Sequence, residues 1–216
     1  MPDISKINNV AVADISKLDS ITFADGQKVN NQSVSLVTDA HTLIDSQDAV
    51  DPDTSITFSS LGSYDVLLFD WINFDSTDGT TDTLSFQVTT ASYPYDAFIT
   101  STAFRAYHNE SDAIANVEYY AGGDQAQTQL YQWLGAYTGA NIDSSSSGNF
   151  TIYGHSSDTY VKHFMSTSSA ETNEAIFSHH IAGYVNTTEA ITAVQFKALG
   201  GGTFTGTISL YGLATS

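Results

Sequence analysis

The chain has 216 residues, 41% of them hydrophobic and 12% aromatic, with 24 acidic against six basic side chains and no cysteine. That is enough apolar material for one core of ordinary size. The missing thiols exclude a disulfide framework and a thiolate metal site, and a net charge of −18 excludes nucleic acid and anionic membrane as partners.

The first 34 residues say one phrase three times: Lys6-Ile7-Asn8-Asn9, Lys17-Leu18-Asp19-Ser20 and Lys28-Val29-Asn30-Asn31, each beginning eleven residues after the last. A repeat this short cannot build its own core, so residues 1–34 are read as an extended arm that gains order against other chains. Ile4, Ile7, Ala11, Ile15 and Leu18 also follow the spacing of an eleven-residue helical supercoil. The Asn-Asn pairs and strand formers such as Val10, Val12, Ile21 and Phe23 favour short extended pieces joined by Asx turns. The anchoring or oligomerising residues are expected to be Ile4, Lys6, Ile7, Ile15, Lys17, Leu18, Lys28 and Val29. This arm holds three lysines against four aspartates, a net of −1, so three basic against twenty acidic side chains leave the remainder at −17. The opening MPDISKINN has no basic stretch followed by an apolar one, so no secretory signal is expected. No apolar run approaches the ~20 residues that span a bilayer.

Residues 35–216 are expected to form one domain. Ile56 and Phe58 alternate with polar neighbours, Tyr64 to Phe74 is a nearly continuous apolar run suited to a central strand buried on both faces, and Leu84, Phe86 and Val88 alternate with Ser85, Gln87 and Thr89. The Asp78-Gly79 turn signal between the last two runs predicts a β-hairpin. Further strands are expected over 98–107, 149–154, 159–166, 176–184, 190–199 and 203–213. Residues 111–120 and 124–134 suit short helices or long irregular loops, and Ser144 to Gly148 reads as a loop tip. The fold class that results is all-β: an antiparallel β-sandwich, jelly-roll-like, preceded by the extended arm.

No catalytic constellation stands out. Asp45, Asp48, Asp51 and Asp53 form one acidic cluster, and Asp75, Asp78 and Asp82 form another around the turn, an oxygen-rich set that is a weak Ca²⁺ candidate without the twelve-residue ligand pattern. His41, His108, His155, His163, His179 and His180 lack the spacing of a metal pair, and each reads as a satisfied or surface histidine; adjacent His179 and His180 should face opposite sides of a strand. Gly154-His155-Ser156-Ser157-Asp158 is not a nucleophile elbow, and no pair among so many acids is singled out for glycoside hydrolysis. No cofactor is expected. Tyr119, Tyr120, Tyr131, Trp133 and Tyr137 are the glycan-binding candidates, since loop aromatics stack on sugar faces while Asn109, Asp124 and Gln132 bond hydroxyls; the same rings would equally fill the end of a core or an interface. Trp71 reads as structural.

The closing segment Thr203-Phe204-Thr205-Gly206-Thr207-Ile208-Ser209-Leu210-Tyr211-Gly212-Leu213 resembles the last strand of many tailed-phage virion proteins. Ile191 to Phe196 looks like the strand before it, and residues 64–88 look like their early hairpin. ISKINNVAVADISKLDS is similar to N-terminal repeats of phage structural proteins, with Asn9 where glycine is usual. The resemblance implies a virion component of fibre or decoration type at the particle surface. It further implies a homo-oligomer, commonly a trimer, that is held to other virion proteins by its arm. A host-surface glycan is the alternative partner, bound or, in a tail-spike enzyme, cleaved.

Overall fold

The computed structural model describes residues 6–7, 10–11, 28–29, 32–33, 41–50, 53–77, 82–135, 138–139, 141, 143–172 and 174–213. The chain separates into two units, Met1–Ala40 and His41–Ser216. Among the described residues there is no helix, and every ladder is antiparallel.

In the first unit, β1 (Lys6–Ile7) pairs with β2 (Val10–Ala11), and β3 (Lys28–Val29) pairs with β4 (Gln32–Ser33). Each pair brackets an Asn-Asn step of the repeat. The middle copy of the phrase, with Ile15, Lys17 and Leu18, and also Ile4, lies outside the described residues.

The second unit begins with β5 (Thr42–Ala49), β6 (Ile56–Phe58), β7 (Val66–Ser76), β8 (Leu84–Thr89) and β9 (Ile99–Asn109). It continues through β10 (Ala115–Tyr119), β11 (Ala126–Thr128), β12 (Gln132–Trp133) and β13 (Ser146–Tyr153), and ends with β14 (Lys162–Glu171), β15 (Ala175–Val185), β16 (Ala193–Ala198) and β17 (Phe204–Leu213). A large sheet runs β10-β9-β15-β14-β13-β7-β17-β5, with β11 also pairing β9; a four-stranded sheet runs β12-β8-β16-β6. The inner faces meet in a phenylalanine core. Phe86 of the small sheet lies 4.2 Å from Phe150 and 5.1 Å from Phe164, while Phe69 lies 5.1 Å from Phe196 and 5.5 Å from Phe58. Edge-on and tilted rings at these separations add to what their burial supplies.

Four expectations are corrected. The runs 66–76 and 84–89 do not form a hairpin: β7 has β13 and β17 on its two edges, so no edge is left for β8, which joins the other sheet between β12 and β16. The connection crosses between sheets and ends at buried Asp82, whose carboxylate accepts from Thr83 N–H at 2.7 Å and from Gly200 N–H at 3.0 Å. β7 itself buries one face only; Leu67, Phe69 and Trp71 point inward while Ile72 is exposed. Neither 111–120 nor 124–134 is helical. Asn109 accepts backbone N–H groups of Ala113 and Ile114 through its side-chain oxygen, closing a turn that returns β10 along β9, and the three-residue spacing of Ile114 and Val117 has no helical meaning. The Ser144–Gly148 tract is no loop tip, because Ser146–Gly148 opens β13, where small residues make room for Trp71. Its indole N–H donates to Ser146 Oγ at 3.4 Å, and a Cβ on Gly148 would stand 2.5 Å from the indole and 2.4 Å from the Thr167 carbonyl oxygen.

At Asn73, φ 54°, β7 bulges and faces Gly206, φ 128°, where a Cβ would meet the Asn73 carbonyl oxygen at 2.9 Å. The bulge returns Phe74 to the core side.

Two substitutions test this packing. Gly148→Ala should destabilise the protein by about 1–3 kcal/mol through overpacking, and Phe86→Ala by about 3–5 kcal/mol through the cavity it opens. Both are read from denaturant midpoints; a change below about 0.5 kcal/mol in either would contradict the packing described.

Candidate functional site

The small sheet does not cover the whole inner face of the large one. Beyond β12, the inward residues of β10, β9 and β15 form a half-exposed ledge. Arg105 crosses the ladder to Glu118 with 2.6 Å between Nη2 and Oε1. Its guanidinium lies over Tyr120 at 4.0 Å and beside Tyr107 and Phe177 at 5.2 and 5.4 Å. Tyr107 and Phe177 stack on each other. A planar cation among rings is held by their quadrupoles as well as by its carboxylate.

Behind the ledge the chain folds the segment 120–133 over the edge of β9. Gln132 fixes it: the fully buried amide donates to the Gly123 carbonyl at 2.9 Å and accepts from Ser101 Oγ at 2.7 Å. Gly123 lies so close to Trp133 that a Cβ there would fall 2.1 Å from the indole ring. Gln125 donates to the Tyr131 carbonyl and accepts from Thr128 Oγ1. Between this segment and the end of β16 lies a cleft of about 550 Å³, lined by Asp124, Gln129, Leu130, Tyr131, Trp133 and Lys197 among others. Lys197 Nζ stands 3.8 Å over the Tyr131 ring, and the Tyr131 hydroxyl bonds Gln195 Oε1. Burial raises the Tyr131 hydroxyl above its ordinary pKa, with Tyr95 nearby adding to the shift.

Of the expected aromatic candidates, Tyr120 and Trp133 come together at 4.8 Å, and Tyr131 and Trp133 share the cleft. Trp133 is 4% exposed, packed against Tyr120, His179 and Gly123, and has no free face for a sugar. Tyr119 lies on the outer face of β10 and does not line the cleft; its hydroxyl donates to the cleft residue Asp124 and is thereby raised in pKa. Tyr137 lies outside the described residues. Gln132 and Asn109 spend their side chains on the fold, as above. The ledge cation Arg105 and the cleft cation Lys197 were not singled out in the sequence; the signal was their rarity, as two of three basic residues in the body.

The acidic candidates are similarly engaged. Asp82 is saturated by backbone amides, Asp75 is raised in pKa by burial, and Asp78 lies outside the described residues. Asp45 accepts from Ser46 N–H and Gln47, Asp48 from Thr207, and Asp53 caps Val50 N–H; Asp51 lies outside the described residues. Among the described residues no group of three or more His, Asp or Glu is placed to hold a metal. In the Gly154–Asp158 string, Ser157 Oγ accepts the N–H groups of Thr159 and Tyr160, and His155 is buried, which lowers its pKa.

His179 and His180 do face opposite sides. His180 stacks on Phe104 on the outer face at 4.8 Å, while His179 is 1% exposed beside Trp133. Neither His179 ring nitrogen has a hydrogen-bond partner, so it is not the satisfied histidine expected. Burial, with Arg105 and His180 adding repulsion, lowers its pKa to about 4.

No protein-family model, no curated protein and no solved structure matches the chain.

A folded-state value below the unfolded one means that the unfolded chain takes up the proton first. The stability tied to His179 is therefore complete above pH 6.5 and is lost as pH falls toward 4, by about 3 kcal/mol. Denaturant melts across that window should show His179→Phe with a visibly flatter pH dependence than wild type; an unchanged slope would refute the assignment.

Proposed function

We propose that this chain is a non-enzymatic structural protein of a tailed-phage virion, of fibre or decoration type, with residues 1–34 as its anchor and residues 35–216 displayed at the particle surface. The two antiparallel sheets are then a jelly-roll-like sandwich, and the working form is a homo-oligomer, with a trimer the form that the resemblance favours.

The observation that carries this reading is the pair of minimal ladders in the N-terminal unit. β1–β2 and β3–β4 match two residues against two. Ladders this short are not stable alone in water and are expected to persist by adding to another surface. That need, met twice among the described residues of a segment with half of the chain's basic residues, suits an anchor docked on protein. The strongly acidic body suits exposure without nonspecific adhesion.

A glycan-binding module is the second reading, favoured by the cleft in which Tyr131 carries Lys197 and Asp124 offers an acceptor. The glycan-cleaving rival needs two carboxylates flanking a bond; among the described lining residues Asp124 is the carboxylate that the cleft supplies.

Removing residues 1–34 should leave a folded body that no longer enters particles, measured by immunoblot of purified virions; normal incorporation would end the anchor reading. On a glycan array, binding by wild type that Tyr131→Ala and Lys197→Ala both reduce at least tenfold would establish the second reading. Silence at millimolar sugar would remove it.

A further inference from the structure

Part of the outer face of the large sheet, the strands from β10 to β13, departs from the rest of the molecule in charge. Register and alternating burial place on it Ala115, Val117 and Tyr119 of β10 and the even-numbered residues from Thr100 to His108 of β9. It continues with those from Ile176 to Tyr184 of β15, and with the odd-numbered residues from His163 to Glu171 of β14 and from Ser147 to Tyr153 of β13. Within these five strands the face carries one carboxylate, Glu171, which sits at the end of β14 and is bonded to Ser144 and to the Glu174 N–H. Asp112 and Asp124 stand at its margins, where they bond His108 and Tyr119, and Asp70 of β7 borders it beside Asn149. The body as a whole carries twenty acids.

What occupies the face instead is apolar or uncharged. Val117 is 71% exposed and Phe104 49%, with Tyr119, Met165 and Ile176 also exposed. The solvated side of an antiparallel sheet is ordinarily polar, and depletion of charge with enrichment of aromatic residues and Met marks the centre of protein interfaces. The relief is two-sided. Val117, Phe104 and Tyr119 form a ridge. Beside it lies a hollow of about 500 Å³ in which Ala182 is bordered by Tyr153, His163, Met165 and Tyr184. Ridge and hollow on one surface are what a two-fold contact between identical faces requires.

We propose that this face is the contact between two copies of this chain, packed sheet on sheet across a two-fold axis. The charge argument selects the occupant. A second copy brings the same −18, so close approach is least opposed where both surfaces lack acids. Area agrees with it. Five strands about 4.8 Å apart, of 5, 11, 11, 10 and 8 residues at about 3.3 Å each, present on the order of 700 Å², close to the share that each partner of a stable complex buries, about 800 Å². The proposal rests on the homo-oligomeric reading above but moves the contact from the arm to the body, and makes the unit a pair.

Sedimentation of the full chain at tens of micromolar decides it. Wild type should run at twice 23.2 kDa. Phe104→Asp and Val117→Asp, each placing a charge on the ridge, should run as single chains, with a circular-dichroism melt showing that they remain folded. Tyr160→Asp, on an exposed loop elsewhere, should run as wild type. A wild-type single chain overturns the proposal and leaves the face to a partner of other chemistry. So does a pair that both ridge variants leave intact. A three-chain mass lost in Ile7→Asp but not in the ridge variants overturns it too, while upholding oligomerisation through the arm.

Discussion

The body depends on closure of the gap between its two sheets by aromatic rings. Phe86 and Phe196 from the small sheet and Phe69, Phe150 and Phe164 from the large one form a connected set in which each ring touches at least two others. Because the small sheet has four strands and the large one nine, this clamp covers the middle of the large sheet and leaves β10 and the adjoining ends of β9 and β15, around Arg105, Tyr107 and Phe177, without an opposing strand. The Arg105 ledge and the folded-over 120–133 segment are consequences. Side chains that would be core further along the sheet become half-exposed there, and the chain covers them with one tightly bonded loop.

Polar groups inside the body follow the same geometry. Ser85 and Gln87 lie on the outward side of β8, which would be solvated in an open sheet, yet both are buried. Gln87 donates to the Ala97 carbonyl at 3.0 Å, and Ser85 to the Lys197 carbonyl at 2.9 Å. The first bond satisfies a loop carbonyl that has no strand to pair with, and the second a strand carbonyl near the end of β16. Lys162, fully buried, does likewise for the Tyr160 carbonyl at 2.8 Å, and burial lowers its pKa. His179 departs from this pattern, as do Ser168 Oγ and Thr89 Oγ1; it is held neutral by its surroundings rather than by a partner.

The core strands were legible in the sequence because each depends on a local period of two: Leu84, Phe86 and Val88, or Ile208 and Leu210, mark a buried face without reference to anything distant. The edge strands β5, β10, β11 and β12, whose residues are largely polar or exposed, were not legible. Pairing was not legible. The Asp-Gly signal at 78–79 speaks only for a local turn, whereas the fate of β8 was decided by β13 and β17 occupying both edges of β7. Gly148 and its serine neighbours read as loop because their smallness serves Trp71, far away in sequence. The loop aromatics were found by residue type, but whether a ring was free depended on packing: Trp133 is enclosed and Tyr131 lines a cleft. The acid-poor outer face was invisible for a simpler reason, since its residues alternate with core residues on five strands and become contiguous only through register.

The same long-range pairing governs how the protein is made. The interior strand β7 finds its partners about eighty and about one hundred and forty residues later, in β13 and β17, and β5 waits for β17 as well. During synthesis the apolar run from Val66 to Phe74 therefore leaves the ribosome with both edges open, and the large sheet cannot close until residues 204–213 have emerged. Such a topology folds late and slowly and exposes sticky edges in the meantime. A nascent chain of this kind requires either a chaperone's protection or a cellular concentration low enough that its own strands meet before a neighbour's do.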